Sequence, residues 1–98
     1  MQIVWTDKAD ETFDQINASI LEKFTQREVD DFVIKTYEVL KVIKSHPKLY
    51  PVSKMRKYKS ARKAVIHPHS TLFYRISNQT TITLITFWDN RNNPKKIK

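Results

Sequence analysis

An apolar stripe that ends at Phe24 meets a helix-start signal at Thr25, and no chain is left between them for a linker. Ala9, Phe13, Ile16, Ile20 and Phe24 recur at spacings of four, three, four and four, which is the period of an amphipathic helix. Thr6 supplies an N-cap, and Asp7 and Asp10 complement the dipole of the first turn. Thr25-x-x-Glu28 has the pattern of a capping box and opens a second helix. Its stripe is Val29, Phe32, Val33, Leu40 and Ile43, with Pro47 just beyond its end. Two amphipathic helices joined so abruptly fold back as a hairpin, and their shared apolar face requires a sheet to cover.

The remaining chain can supply that sheet. Residues 2–5, QIVW, read as a short strand anchored by Ile3 and Trp5. Three further strands are expected at 61–67, 71–77 and 80–88, with connections short enough to force antiparallel neighbours. In the last of them, strict alternation would put Ile82, Leu84, Thr86 and Trp88 on one face and Thr83, Ile85 and Phe87 on the other. The expected fold is therefore α+β, in the order β-α-α-β-β-β, with the helical hairpin packed on a small twisted antiparallel sheet. Residues 46–59 read as an irregular basic loop, and residues 1–98 as a single domain.

Composition removes several functional classes. There is no cysteine, hence no disulfide, thiolate metal site or cysteine nucleophile. There is no glycine, and the backbone loops that cradle phosphates in nucleotide-binding folds depend on it. No apolar run reaches the ~18 residues of a membrane span, and the N-terminus lacks the pattern of a signal peptide. A soluble, cytoplasmic protein without membrane partner, small-molecule cofactor or metal is expected.

Charge is divided along the chain. Residues 1–38 carry four basic and nine acidic residues, whereas residues 39–98 carry fourteen basic residues and one acid, Asp89. Such a basic half attracts polyanions, either nucleic acid or an acidic protein. Its cations fall in two groups. Lys48, Lys54, Arg56, Lys57, Lys59, Arg62 and Lys63 surround Tyr50 and Tyr58, while Arg91, Lys95, Lys96 and Lys98 follow the last strand. Basic side chains interleaved with aromatic rings suit RNA, the cations holding phosphates and the rings stacking on bases. Arg75 lies between apolar neighbours in a strand, so it either faces a ligand groove or pairs, with Asp89 the acid available nearby in sequence. Arg91 has the same two readings, a phosphate contact or a pair with Asp89. His67 and His69 flank Pro68. They are too few to hold a metal, but His67 or His69 could serve as a general acid or base on a ribose hydroxyl.

Several short pieces occur in a telling order. They are Trp5-Thr6-x-x-Ala9, the SHP that follows the second helix, the central LFYRI and the terminal FWDNRNNPKK. Together they resemble the RelE/ParE superfamily of toxins from bacterial type II toxin–antitoxin modules, over essentially the full chain. The resemblance implies the same β-α-α-β-β-β plan and a cognate acidic antitoxin whose C-terminal part wraps the toxin. RelE-like members cleave messenger RNA in the ribosomal A site without metal; ParE-like members inhibit DNA gyrase. Alignment on Tyr74 places Arg91 on the arginine that supports the scissile phosphate in the nucleases, and Arg62 on a basic position early in the sheet, with Lys63 and Lys54 close by. The chain departs from that pattern at Thr71, where an arginine is expected, and at Ile97, where a tyrosine is expected. Arg75 could replace the first, and Tyr58 or a histidine the second.

The leading expectation is thus a ribosome-dependent mRNA interferase. Arg91, Arg62, Arg75 and His67 would act on the phosphate, and Lys54, Arg56, Lys57, Tyr58, Lys63, Lys95 and Lys96 would hold RNA. A gyrase inhibitor without nuclease activity is the alternative, and a non-toxic RNA-binding module a third.

Overall fold

The computed structural model describes residues 1–67 and 70–91, apart from the side chain of His67. The elements are β1 (Gln2–Trp5), α1 (Asp7–Lys23), α2 (Gln26–Ser45), β2 (Arg62–His67), β3 (Ser70–Ile76) and β4 (Thr81–Asp89). Each lies within a residue or two of its expected place. The sheet order is β1-β4-β3-β2. β2, β3 and β4 pair antiparallel, as their short connections require. β1 joins the outside of β4 in parallel, from Gln2 opposite Thr81 to Trp5 opposite Leu84, so the expectation of an antiparallel sheet is corrected to a mixed one. A parallel pair needs a long crossover, and the helical hairpin is part of the chain between these two strands.

Thr6 joins the first helix to the sheet. Its Oγ1 accepts from the Ala9 N–H at 3.0 Å, the expected cap, and donates to the carbonyls of Leu84 and Ile85. The second helix begins where the capping pattern put it, but Thr25 makes no side-chain cap bond. The amides of Glu28 and Val29 bond instead to the Thr25 carbonyl. Phe24, expected in the buried stripe, is 51% exposed. It ends α1 in an extended conformation, which turns its side chain out of the helical stripe.

The core lies between the helices and one face of the sheet. Ile16, Ile20, Phe32, Leu40 and Ile43 meet Leu72, Tyr74, Ile82, Leu84 and Phe87. Trp5 stacks on Phe87 at 5.4 Å and meets Phe13 edge-on at 5.3 Å.

Phe87 reaches this core because β4 contains one extra residue. Phe73 lies opposite Thr86 and Tyr74 opposite Leu84, so Ile85 has no partner on β3. A bulge of this kind shifts the alternation by one residue. The strict alternation expected from sequence fails here, since Phe87 joins the helix-facing core while Ile85 and Trp88 pack on the opposite face. That second face carries its own small cluster, in which Tyr58, Ala61 and Phe73 are buried with Met55, Ile85 and Trp88 around them.

The segment between α2 and β2 is anchored at both ends. Ser53 N–H donates to the Ala61 carbonyl at 2.6 Å and Lys63 N–H to the Pro51 carbonyl at 3.0 Å. Buried Tyr74 donates its hydroxyl to the Pro47 carbonyl at 2.7 Å. Burial pushes the Tyr74 phenol up to about 12, against the opposing influence of the nearby Arg62 charge. The value in the unfolded chain is near 10. The stabilisation is therefore complete below pH 10 and is lost as pH rises through about 12. At full extent the difference corresponds to about 2–3 kcal/mol. Urea unfolding at pH values below and above this window should show a steeper alkaline loss in the parent than in Tyr74→Phe; equal losses would show that this phenol is not the group responsible.

Candidate functional site

The arginines expected to converge on a phosphate are held in three separate places. Arg62 has the parity of Ala64 and Ile66 in β2, which turns it to the helix side of the sheet margin. There its Nη1 donates to the Tyr50 carbonyl at 2.7 Å and the Lys48 carbonyl at 3.2 Å. Together with Tyr74 it pins residues 47–50, its Nη1 being engaged with backbone carbonyls. Arg75 is exposed on the other face and donates to Ser60 Oγ at 3.0 Å. It stands opposite Thr83, whereas Asp89 stands opposite Ser70. Five residues of strand, about 17 Å at the usual rise, exclude the Arg75–Asp89 pair.

Arg91 takes the pairing role. Its Nε donates to Asp89 Oδ1 at 2.9 Å and its Nη2 to Asp89 Oδ2 at 2.6 Å, while Nη2 also reaches Ser19 Oγ on α1 at 2.7 Å. The Asp89 bonds raise the guanidinium pKa further above its ordinary value. This group ties the end of β4 to α1 and is not presented to the open face of the sheet.

That open face carries a hollow of about 220 Å³, lined by Met55, Lys63, Thr71, Phe73, Trp88 and Asn90 among others. Thr71, at the position where an arginine was expected, donates to Asn90 Oδ1 at 2.8 Å and so braces the turn after β4. Lys54, Arg56, Lys57 and Lys63 are exposed. Tyr58 is not available as a stacking ring. It is only 6% exposed, and Phe73 covers one of its faces at a centroid distance of 4.7 Å. The side chain of His67, and the whole of His69, Lys95, Lys96 and Ile97, lie outside the described residues.

A larger cleft, about 330 Å³, runs between the N-terminal half of α1 and the end of β4. Lys8, Thr12 and Gln15 line it from the helix, Lys57 and Tyr58 from the basic segment, and Trp88 from β4. Thr12 Oγ1 accepts from the Phe87 N–H at 2.9 Å, satisfying an edge donor of β4 beyond the reach of β1. The helix contribution was missed in sequence because Lys8 belongs to the acidic half of the chain. Its one signal was a cation in a first helical turn, against the dipole. Among the described residues no group of His, Asp or Glu could hold a metal ion, and no helix is long and apolar enough to cross a membrane.

A helical hairpin on a four-stranded mixed sheet is the RelE/ParE-like fold. Residues 3–94 match the family described as the ParE toxin of the type II toxin–antitoxin system parDE; the chain belongs to that family. Among solved structures it is similar to a chain of the chromosomal ParDE system from P. aeruginosa. The TM-score is 0.72 and the identity 15%, over 91% of this chain and 95% of that one. No curated protein matches it. Membership in a toxin–antitoxin family carries with it a cognate antitoxin as partner.

The Arg91–Asp89 pair should act on stability. A double-mutant cycle with Arg91→Ala and Asp89→Ala, followed by thermal unfolding, should give a coupling of about 0.5–1 kcal/mol. Strict additivity of the two changes would remove the structural role assigned to this pair.

Proposed function

We propose that the protein is a toxin that arrests growth by binding DNA gyrase, the activity attached to ParE-like members, rather than by cutting messenger RNA. The observation that carries this reading is the separate engagement of the three arginines. Cleavage of a phosphodiester without metal needs fixed cations around the oxygens that gain charge in the transition state. Here Arg62 is bonded to carbonyls, Arg91 is neutralised by Asp89, and Arg75 lies at the far end of β3. Family membership supports the same side of the choice. A toxin that works by binding requires a shaped and charged surface but no convergent catalytic set, and the exposed Lys54, Arg56, Lys57 and Lys63 can contribute to such a surface. A cytoplasmic site of action follows from a gyrase target.

Purified protein added to gyrase with ATP and relaxed plasmid should inhibit supercoiling, and expressing cells should induce the DNA-damage response. Primer extension on cellular messages should show no new ends. Ribosome-dependent cleavage at codons, with gyrase unaffected, would reverse the assignment in favour of the interferase.

A further inference from the structure

Two lysines with no acidic partner among the described residues converge on one tyrosine. Lys8 Nζ donates to Tyr58 Oη at 3.3 Å and lies 5.9 Å from the ring centroid. Lys57 Nζ lies 5.8 Å from the same centroid. Phe73 stacks on one face of that ring, so the two ammonium groups share what is left of its surroundings. Asp89 is the one carboxylate lining the cleft among the described residues, and it is bridged by Arg91. Lys8 bears a second electrostatic cost, since it sits in the first turn of α1, where the dipole favours acids. An anion between the two ammonium groups would offset both.

The cleft is suited to one anion beside an apolar group. Trp88, Phe87 and Ile16 give it an apolar wall, while Thr12 and Gln15 give it a polar one. It lies along the stretch of β4 that β1, ending opposite Leu84, leaves uncovered. A nucleic acid strand suits it less well. Asp7, Asp10, Glu11 and Asp14 are exposed along the same half of α1, and successive phosphates leaving over that helix would meet them within the ~8 Å range of unscreened charge. A single carboxylate on a peptide does not meet that obstacle.

We infer that the cleft between α1 and the end of β4 receives an acidic side chain from an extended segment of the cognate antitoxin, its carboxylate seated between Lys8 and Lys57 and an apolar neighbour against Trp88. The inference rests on the family reading that supplies such a partner, and not on the choice of gyrase as target. It gives the basic half of the chain a specific protein contact in addition to its general attraction for anions.

Titration calorimetry tests it, using the toxin and the antitoxin encoded in the adjoining reading frame. Lys8→Glu should weaken binding about tenfold or more, and Lys57→Gln by a smaller factor, with weaker salt dependence in both. An acidic-to-lysine change in the antitoxin segment should restore binding to Lys8→Glu alone, a result that a folding defect could not produce. Circular dichroism and melting check the fold, and Lys8→Gln serves in its place if Lys8→Glu melts early. Unchanged affinity in the Lys8 and Lys57 variants overturns the inference. Loss of growth arrest by Lys8→Glu with normal antitoxin affinity also overturns it, by giving the cleft to the toxin's target. Failure of the unaltered toxin to bind that antitoxin would instead bring down the partner reading on which the inference stands.

Discussion

One unpaired residue in β4 decides how the two faces of this sheet are used. Ile85 has no partner on β3, and the alternation of every residue after it is shifted. Phe87 is thereby delivered to the helix side, where Trp5 and Phe13 pack against it. Trp88 goes to the other side, where it closes the cluster around Tyr58 and Phe73. Were Ile85 paired regularly instead of bulged, Phe87 would leave the aromatic core and Trp88 would enter it. The bulge also lies where β1 ends, and beyond that point the edge of β4 is met by Thr6, the N-cap of α1, and by Thr12.

The same arrangement explains why Arg62, Arg75 and Arg91 do not converge on one groove. Cations are placed by the strands that carry them, and β2, β3 and the turn after β4 aim their arginines in different directions. Each arginine then meets a nearby acceptor, whether carbonyl, hydroxyl or carboxylate. Guanidinium groups held on protein acceptors in separate places stabilise the fold but are not preorganised around one developing charge. The lysines of residues 54–63, by contrast, remain exposed and add to one positive field.

Much of the architecture was legible in the sequence. Both helices, their abrupt junction and the three antiparallel strands follow from periodicity and short connections, which are local properties. The parallel attachment of β1 was not legible, because partner choice across the chain leaves no local trace. The bulge was equally hidden, since residues 81–88, Thr-Ile-Thr-Leu-Ile-Thr-Phe-Trp, can be read as regular alternation unless the opposite strand is known. Among site residues, the exposure of Lys54 and Lys63 could be expected from their type. The burial of Tyr58 depended on Phe73, and the engagement of Arg91 depended on Ser19, seventy-two residues away.

The amino-acid sequence by itself determined the element order, the divided charge and the absence of glycine loops and cysteine chemistry, because spacing and composition act within a few residues. Tertiary structure alone decided which cations stay free. That outcome turns on acceptors brought close by chain crossings, and a hydrogen bond satisfied at 2.7 Å is invisible until both ends have been placed.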